Sequence, residues 1–336
     1  MVVPSTCAAI GCVILPRGRP NRPTMHLILG RMRLDWLGCA TFRLFSDELV
    51  VYLDAYIDRV ATAPNTGVTV ADVDRADWIV VGHSHFDHLW GAERIARQTG
   101  ATIVGSYESI RIMAEQGVPT EQLVPVAGGE RVRLSPEVTV DVYPSLHSCI
   151  WTHAGFAQSD AVCVGDLGVV HQERLARLRD RGDSRAALSD EVREHLRVGA
   201  QGARGDGGAL VYRFETPAGS LVYQDTCGRW TGVWRTLQAD VAILAAAGRG
   251  NIDGEPIQGS LADFVGAEVE LLRPRRVILG HHDDWLPGVS VPTDTAPIRA
   301  AIGRTSPATE LLEMPYCAGF PVFEGLSASY GSGASA

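Results

Sequence analysis

The hydrophobic pattern of the chain becomes regular at residue 32 and predicts strands and helices in an order that occurs twice. The first half contains strand-rich stretches at 34–44 and 49–54, a buried strand at 77–81, and helices at 91–98 and 107–116 that flank a strand at 101–104. The second half contains strands at 131–134 and 138–143, a hairpin of 210–215 and 220–224, a strand at 241–245, a helix at 260–272 and a strand at 276–279. This order predicts two similar α/β halves that pack sheet against sheet.

Three segments fall outside the regular pattern. Residues 1–31 contain four prolines and no clear periodicity, so we expect a flexible extension. Residues 171–198 are charged and helical in pattern, which indicates a helical insertion or lid rather than core. Residues 324–336 are rich in glycine and serine and predict a flexible tail. The remaining residues, 32–323, form one predicted domain.

The composition is that of an ordinary globular protein, with 46% hydrophobic and 21% charged residues in 336. The net charge is -9, and all 30 basic residues are arginine. The absence of lysine from the sequence excludes a Schiff-base lysine, a pyridoxal-phosphate enzyme and a Walker A lysine. The acidic balance also argues against nucleic acid as the partner and leaves a small-molecule substrate as the expectation.

Cysteine usage and hydropathy predict the compartment. The seven cysteines are scattered and form no CxxC pair, which is typical of a reduced cytoplasmic protein. No apolar run approaches the roughly 18 residues of a membrane helix, so we expect no stable membrane insertion. The sequence is compatible with a homo-oligomer.

The strongest chemical signal is the run from Gly82 to His88, Gly-His-Ser-His-Phe-Asp-His. Three imidazoles and one carboxylate lie within six residues, directly after a buried strand. Neutral imidazole and carboxylate are ligands that suit zinc, iron or manganese. Because successive residues of a turn point to different sides, His83 and His85 can bind one ion while Asp87 and His88 face a second one.

Four further polar residues follow predicted strands, where sites collect in layered α/β folds: Asp54, His147, Asp225 and His281. Each is weak evidence by itself, because a lone His or Asp at a strand end is usually a cap or a surface residue. Together with the histidine run they predict a set of ligands at one sheet edge.

The order HxHxDH, then His, Asp and His, resembles the metallo-β-lactamase-fold superfamily of hydrolases over roughly residues 33–290. The run from Trp36 to Phe42, Trp-Leu-Gly-Cys-Ala-Thr-Phe, resembles the start of one branch, which contains the ascorbate-6-phosphate lactonases and the N-acylphosphatidylethanolamine phospholipases D. The run from Arg276 to His281 is similar to that branch's closing strand and histidine.

The resemblance implies a four-layer αββα sandwich with the 171–198 insertion, and a centre of two divalent metal ions. By position, His83, His85 and His147 would hold the first ion. The second would be held by Asp87, His88 and His281. Asp225 would bridge the two ions, and Asp54 would lie behind a ligand imidazole and fix its tautomer.

Several positions leave the assignment open. Cys39 stands where the branch often has histidine, and Gln224 where glycine commonly precedes the bridging aspartate. His282 competes with His281 for the last ligand position, and His153 competes with His147. The other histidines, His26, His171 and His195, are interpreted as surface residues.

The predicted function is that of a binuclear, metal-dependent hydrolase that uses a metal-bridging hydroxide to cleave an ester, lactone or amide bond. Asp87 and Asp225 are the predicted catalytic carboxylates, and zinc is the first choice of metal, with manganese or iron as alternatives. The runner-up is a phosphodiesterase that acts on a phospholipid or a phosphorylated sugar. A nuclease, a diiron electron-transfer protein and a non-catalytic metal-binding protein are the competing classes.

Aromatic and basic residues near the ligands in sequence are candidates for substrate contacts. The aromatic candidates are Phe86, Trp90, Trp151, Phe156 and Trp285, and the arginines that could meet an anion are Arg59, Arg229 and Arg249.

Overall fold

The structure is a computed structural model that describes residues 32–149, 170–183 and 188–326. The predicted extension at 1–31, Trp151, His153, Phe156 and residues 327–336 of the predicted tail lie outside the described residues. The strands of the first half are β1 Arg33–Trp36, β2 Phe42–Phe45, β3 Val50–Leu53, β4 Trp78–Val80, β5 Thr102–Ser106 and β6 Leu123–Val126. Its helices are α1 Phe86–Leu89, α2 Ala92–Thr99 and α3 Tyr107–Glu115.

The second half adds further strands and helices, and its last strand, β17, joins the first sheet. Its strands are β7 Arg131–Arg133, β8 Thr139–Pro144, β9 Leu210–Thr216, β10 Gly219–Gln224, β11 Gly228–Arg229, β12 Val241–Ala245, β13 Asn251–Ile252, β14 Glu255–Pro256, β15 Arg276–Gly280, β16 Glu310–Leu312 and β17 Phe320–Pro321. Its helices are α4 His171–Asp183, α5 Asp190–Gly199, α6 Thr231–Trp234, α7 Leu261–Leu272 and α8 Ala296–Thr305.

Two seven-stranded sheets share one topology within the described residues. The first has the order β17-β1-β2-β3-β4-β5-β6, and the second has the order β16-β15-β12-β10-β9-β8-β7. In each sheet an antiparallel meander, β1 to β3 or β7 to β10, is followed by three parallel pairings. The parallel crossovers carry α1 to α3 in the first half and α6 to α8 in the second, which confirms the prediction of two similar α/β halves.

The sheets pack face to face and carry helices on their outer faces. Phe42 and Leu53 of the first sheet share one buried cluster with Tyr212 and Ile243 of the second. The outer face of the first sheet packs with α2 and α3, and that of the second packs with α7 and α8. Strands buried on both faces, such as β3, therefore read as continuous apolar runs. The result is the predicted four-layer αββα sandwich.

The turn between β1 and β2 divides the stretch that the sequence predicted as strand-rich from 34 to 44. The Leu37 N–H donates to the Thr41 carbonyl at 2.9 Å, and Gly38 and Cys39 have φ values of +85° and +51°. The reversal makes β1 and β2 antiparallel neighbours. The hydrophobic pattern did not predict helix α8. Few of its residues are buried, so its apolar residues show only a weak helical periodicity.

The predicted insertion lies in the connection between the antiparallel neighbours β8 and β9 and contains α4 and α5. Among the described residues, no helix is both long enough and apolar enough to span a membrane.

Candidate metal centre

The candidate ligands lie where strands end. Asp54 follows β3, Asp225 follows β10 and His281 follows β15, while the histidine run begins after β4. Gly82 precedes that run, and a Cβ atom at this position would come within 2.0 Å of Asp225 Oδ2. Because glycine has no Cβ atom, the Asp225 carboxylate of the second half can reach the turn that begins at His83 in the first half.

The first group of candidate ligands comprises His83, His85 and His147, whose ligand atoms lie within 4.8 Å of one another. The His83 ring centroid is 4.6 Å from that of His85 and 4.7 Å from that of His147. Burial, reinforced by the neighbouring imidazoles, lowers the pKa of both His83 and His147. These rings are therefore neutral near pH 7, which is the form that binds a cation.

The second group surrounds the carboxylate of Asp87. Its Oδ2 atom is 3.5 Å from His88 Nε2 and 3.4 Å from His281 Nε2. Burial would raise the pKa of Asp87, but the imidazoles of His88 and His281 overcome this effect and hold the pKa below its usual range. Cys39 Sγ forms a further group with Asp87 and His281, within 4.8 Å.

Three of the imidazoles have a hydrogen-bond acceptor behind them. His88 Nδ1 is 2.6 Å from Asp54 Oδ2, His147 Nδ1 is 2.8 Å from the Ser148 carbonyl, and His85 Nε2 is 3.0 Å from the Gly205 carbonyl. A carbonyl oxygen only accepts, so the facing nitrogen of His147 and of His85 carries the hydrogen. The opposite nitrogen of each ring then keeps its lone pair for a cation.

Asp225 lies between the two groups. Its Oδ2 atom is 2.6 Å from His83 Nδ1 and 3.3 Å from His88 Nδ1. Burial, with a contribution from the nearby Asp54 carboxylate, raises the pKa of Asp225 to about 8.

The donor set passes a direct test of fit for cations. Asp225 Oδ1 and His83 Nε2 are buried and have no hydrogen-bond partner among the described residues. Buried polar atoms without a partner are costly, and a bound cation would satisfy both of these acceptors. Imidazole and carboxylate are also the ligands that zinc, manganese and iron share.

The structure distinguishes between the two adjacent histidines at the end of β15. His281 lies beside Asp87, whereas His282 stacks on Trp36 with ring centroids 4.4 Å apart and an interplanar angle of 14°. The structure therefore brings His281, and not His282, to the cluster. His153, the competitor of His147, lies outside the described residues.

The two departures from the family pattern have different surroundings. Cys39 contributes its sulfur to the cluster, as described above. The Gln224 amide instead donates to Glu268 Oε1 at 2.9 Å and to the Gly228 carbonyl at 3.0 Å, within a buried polar group.

Sequence reasoning missed the glycine-rich loop 200–208, which contacts the histidine turn. The Gly205 carbonyl accepts from His85, and the Gly207 carbonyl accepts from the Ser84 N–H at 3.1 Å. A Cβ atom at Gly207 would lie 2.8 Å from the Ser84 nitrogen. The glycines of this segment predicted only a loop, and nothing in their spacing indicated what the loop contacts.

The prediction that His195 is a surface residue was wrong. It is half-buried, and its Nε2 atom is 2.7 Å from the Tyr56 hydroxyl. Helix α5 buries Val192 and Leu196, and residue 195 lies beside that buried face. His171 is exposed, as predicted, and His26 lies outside the described residues.

Aromatic side chains form a wall beside the second group of ligands. This aromatic wall, as we call it, consists of Tyr56, Phe86, Trp90 and Trp285. The Trp285 ring centroid is 5.3 Å from that of His281, so the wall adjoins the candidate ligands.

The chain is similar to known proteins of one superfamily. A family profile described as the beta-lactamase superfamily domain matches residues 50–190. The chain is 36% identical over 119 residues to a UPF0173 metal-dependent hydrolase of Pyrobaculum islandicum, covering 35% of this chain and 51% of that protein. It is 32% identical over 155 residues to the corresponding protein of Pyrobaculum neutrophilum, covering 44% of this chain and 68% of that protein. The chain thus spans about half to two thirds of these relatives' length.

Solved structures show the same fold at low sequence identity. Igni18, a metallo hydrolase of Ignicoccus hospitalis, superposes with a TM-score of 0.54 at 16% identity, over 85% of this chain and 96% of that one. A putative metal-dependent hydrolase of Parabacteroides distasonis gives a TM-score of 0.51 at 11% identity, over 84% of this chain and 92% of that one. With its αββα fold, its histidine and aspartate cluster and these relatives, the chain belongs to the metallo-β-lactamase superfamily.

Proposed function

We propose that this protein is a hydrolase that holds two divalent cations and cleaves an ester, lactone or amide bond in a small molecule. One observation carries the proposal. Imidazoles and carboxylates from both halves of the fold meet in one cluster, in which buried acceptor atoms lack a partner among the described residues. The two relatives from Pyrobaculum are named metal-dependent hydrolases, which supports hydrolysis as the activity.

The ligand assignment follows the two groups. His83, His85 and His147 would hold the first cation, and Asp87, His88 and His281 would hold the second. Asp225 lies between the groups and would contact both cations. Zinc is favoured because nitrogen and carboxylate donors suit it, and manganese and iron accept the same set.

When bound, divalent cations polarise a carbonyl oxygen and lower the pKa of coordinated water from 15.7 towards about 7. The protein's own contribution is to orient the imidazoles and, by burial, to lower the pKa of His83 and His147 so that these two rings stay neutral. Two divalent cations and the two carboxylates of Asp87 and Asp225 together leave a net charge of about +2, which attracts an electron-rich oxygen. The burial of His83 and Asp225 strengthens this attraction because little water screens it.

The surroundings of the cluster favour a small substrate with an apolar group. The aromatic wall offers ring surfaces beside His281. One of the arginines that could meet an anion is engaged inside the protein. Arg59 donates to Asp283 at 2.7 Å. It is therefore not free to bind a phosphate, which supports a carboxylic ester, lactone or amide.

The resemblance to the branch of ascorbate-6-phosphate lactonases and phospholipases D rests on the run from Trp36 to Phe42. It supports a lactone as the first substrate class to examine and a phosphodiester as the alternative. The aromatic wall suits the ring or acyl part of a lactone or ester.

The proposal is tested by activity and metal content in one preparation. Protein reconstituted with zinc, manganese or iron is assayed against panels of lactones, esters, amides and phosphodiesters. We expect two ions per chain and hydrolysis of at least one carbonyl class. His83→Ala should lose the first ion and the activity, and Asp225→Asn should weaken the binding of both ions and lose the activity. His282→Ala is the matched control, because His282 stacks on Trp36 and should keep the metals. Fewer than one ion per chain, or activity on phosphodiesters alone, would contradict the proposal.

A further inference from the structure

The turn between β1 and β2 carries a thiol that the proposed ligand assignment does not use. Cys39 is fully buried, and its Sγ atom, a carboxylate oxygen of Asp87 and a ring nitrogen of His281 lie within 4.8 Å of one another. In a tetrahedral zinc site, a sulfur ligand lies about 2.3 Å from the ion and a nitrogen or oxygen ligand lies about 2.0 Å from it. Two such ligand atoms are therefore about 3.5 Å apart. The distance between Asp87 Oδ2 and His281 Nε2 is already 3.4 Å. The thiol lies within 4.8 Å of both residues, so it must approach them by at most about 1.3 Å to reach that spacing.

The main chain holds Cys39 beside His281. The Cys39 carbonyl accepts from the His281 N–H at 2.7 Å and from Trp36 Nε1–H at 2.9 Å. The Cys39 N–H donates to Asp283 Oδ1 at 3.0 Å. These bonds fix the turn so that the thiol stays at the cluster, and they are independent of any cation.

The thiol has weak alternative partners. Cys39 forms no disulfide, and its sulfur contacts the Asp87 carbonyl oxygen at 3.5 Å. Cys227 is a useful contrast, since its sulfur contacts the Ala245 carbonyl at 3.2 Å within an apolar cluster. Buried cysteines of that kind act as small hydrophobic residues. Cys39 instead faces a buried carboxylate and an imidazole whose Nδ1 atom is buried without a hydrogen-bond partner among the described residues.

We propose that Cys39 Sγ is a ligand of the second cation, together with Asp87 and His281, and gives this position a preference for thiophilic ions such as zinc over manganese. The inference rests on the proposed metal centre and adds a ligand to it. On binding, the S–H bond breaks, the proton passes to solvent, and the sulfur electron pair forms the bond to the cation. A thiolate is a soft ligand, which manganese binds poorly.

Cobalt substitution tests this ligand directly, because a thiolate bound to Co²⁺ gives charge-transfer absorption in the near ultraviolet. The full-length protein loaded with two cobalt ions is expected to show this band. Cys39→Ser should lose the band and bind the second cobalt at least about tenfold more weakly. The matched variants Cys227→Ser and Cys317→Ser should keep both.

Zinc-edge X-ray absorption on the wild-type protein needs no variant and is expected to show sulfur at about 2.3 Å from zinc. Three results would each overturn the Cys39 proposal and leave the proposed function standing. They are two bound cobalt ions per chain without the band, a band that persists in Cys39→Ser, and a zinc coordination shell of nitrogen and oxygen alone. A wild-type protein that binds no cobalt or zinc would refute both.

Discussion

Single residues of the centre are held in backbone conformations that a side chain rarely adopts. Cys39, Asp54 and His281 have φ values of +51°, +57° and +62°. Each left-handed residue with a Cβ atom is strained by about 1–2 kcal/mol. Such strain persists where the surroundings enforce it, and it concentrates at functional sites. The positions of these three side chains are therefore maintained by their partners rather than by local preference.

Asp54 illustrates this dependence and carries the first prediction. Its carboxylate faces His88 Nδ1 and accepts from the Tyr223 hydroxyl, both at 2.6 Å. Asp54→Asn weakens the orientation of the His88 ring, so we expect a loss of about 10–100-fold in affinity for the second cation. Titration with zinc against a competing chelator measures the change. Tyr223→Phe, which leaves the carboxylate intact, should have a smaller effect, and equal losses in the two variants would contradict the role given to Asp54.

Glu268 carries the second prediction, which concerns pH. Burial raises its pKa to about 8, above the usual value of about 4.3. Between about pH 4.3 and pH 8 the folded protein keeps a proton that the unfolded chain has lost, so this residue lowers stability as the pH rises through that window.

Glu268→Gln removes this titration and keeps a polar partner for Gln224. We expect the variant to gain stability over the wild type as the pH rises, by about 1–3 kcal/mol at pH 8. Urea unfolding at pH 5, 6.5 and 8 measures the difference. Glu270→Gln on the exposed face of α7 is the control. Parallel pH profiles for wild type and Glu268→Gln would refute the prediction.

Among the elements, the connection from β8 to β9 carries two helices, and one of them lies beside the aromatic wall. Helix α5 buries Val192 and Leu196 in the same cluster as Tyr56 and Trp285. The part of α4 whose side chains are described is mostly exposed. The predicted lid is therefore divided: α5 packs on the aromatic wall, whereas residues 171–177 of α4 are mostly exposed.

Helix α5 carries the third prediction. Leu196→Ala removes buried methyl groups next to the aromatic wall, so we expect a loss of about 2–5 kcal/mol in the free energy of unfolding. Val198→Ala on the same helix is the control, because Val198 is 48% exposed, and its effect should stay within about 0.5 kcal/mol. Denaturant unfolding of both variants measures the two losses in the free energy of unfolding. Similar losses in the two variants would mean that α5 does not pack as described.

The glycine-rich loop carries the fourth prediction. Gly207 and Gly202 have nearly equal positive φ values, +72° and +71°, so alanine strains both. At Gly207 a Cβ atom would meet the histidine turn, whereas at Gly202 nothing lies within 4 Å. We expect Gly207→Ala to be about 1–3 kcal/mol less stable than Gly202→Ala and to bind the first cation more weakly. Thermal unfolding with and without zinc compares the two, and indistinguishable variants would exclude a positioning role for this contact.

In the whole molecule, the candidate centre lies at the junction of the two halves. The histidine run belongs to the first half, and Asp225 and His281 belong to the second. Cations that bind there link the two sheets only in the folded state. Such binding stabilises the fold by mass action.

The fifth prediction follows from this linkage. Zinc at 100 times its dissociation constant should raise the free energy of unfolding by about 2.7 kcal/mol, and chelation should remove the gain. His281→Ala should reduce the zinc-dependent gain, whereas His282→Ala should keep it, because its ring stacks on Trp36. Calorimetry with and without zinc measures both. A zinc-dependent gain that survives in His281→Ala but disappears in His282→Ala would reverse the assignment.

Much of the architecture followed from local pattern. The strands that are buried on both faces, such as β3 and β12, are apolar runs in the sequence, and helix α7 begins after its Ser260 N-cap, within the predicted range 260–272. Short strands at the edges, such as β17, were missed because two residues carry too little pattern. Helix α1 was also missed, since the ligand run that forms it has no apolar period.

Residue type and hydrophobic period are local properties, so they were enough to identify candidate ligands and to place Asp54, Asp225 and His281 just after strands. Folding brings His281 rather than His282 beside Asp87, places Gly205 behind His85, and brings Cys39 into the cluster. Those outcomes depend on turns with positive φ and on contacts between segments more than a hundred residues apart. Neither the direction of such turns nor the meeting of such distant segments is encoded in any short window of the chain.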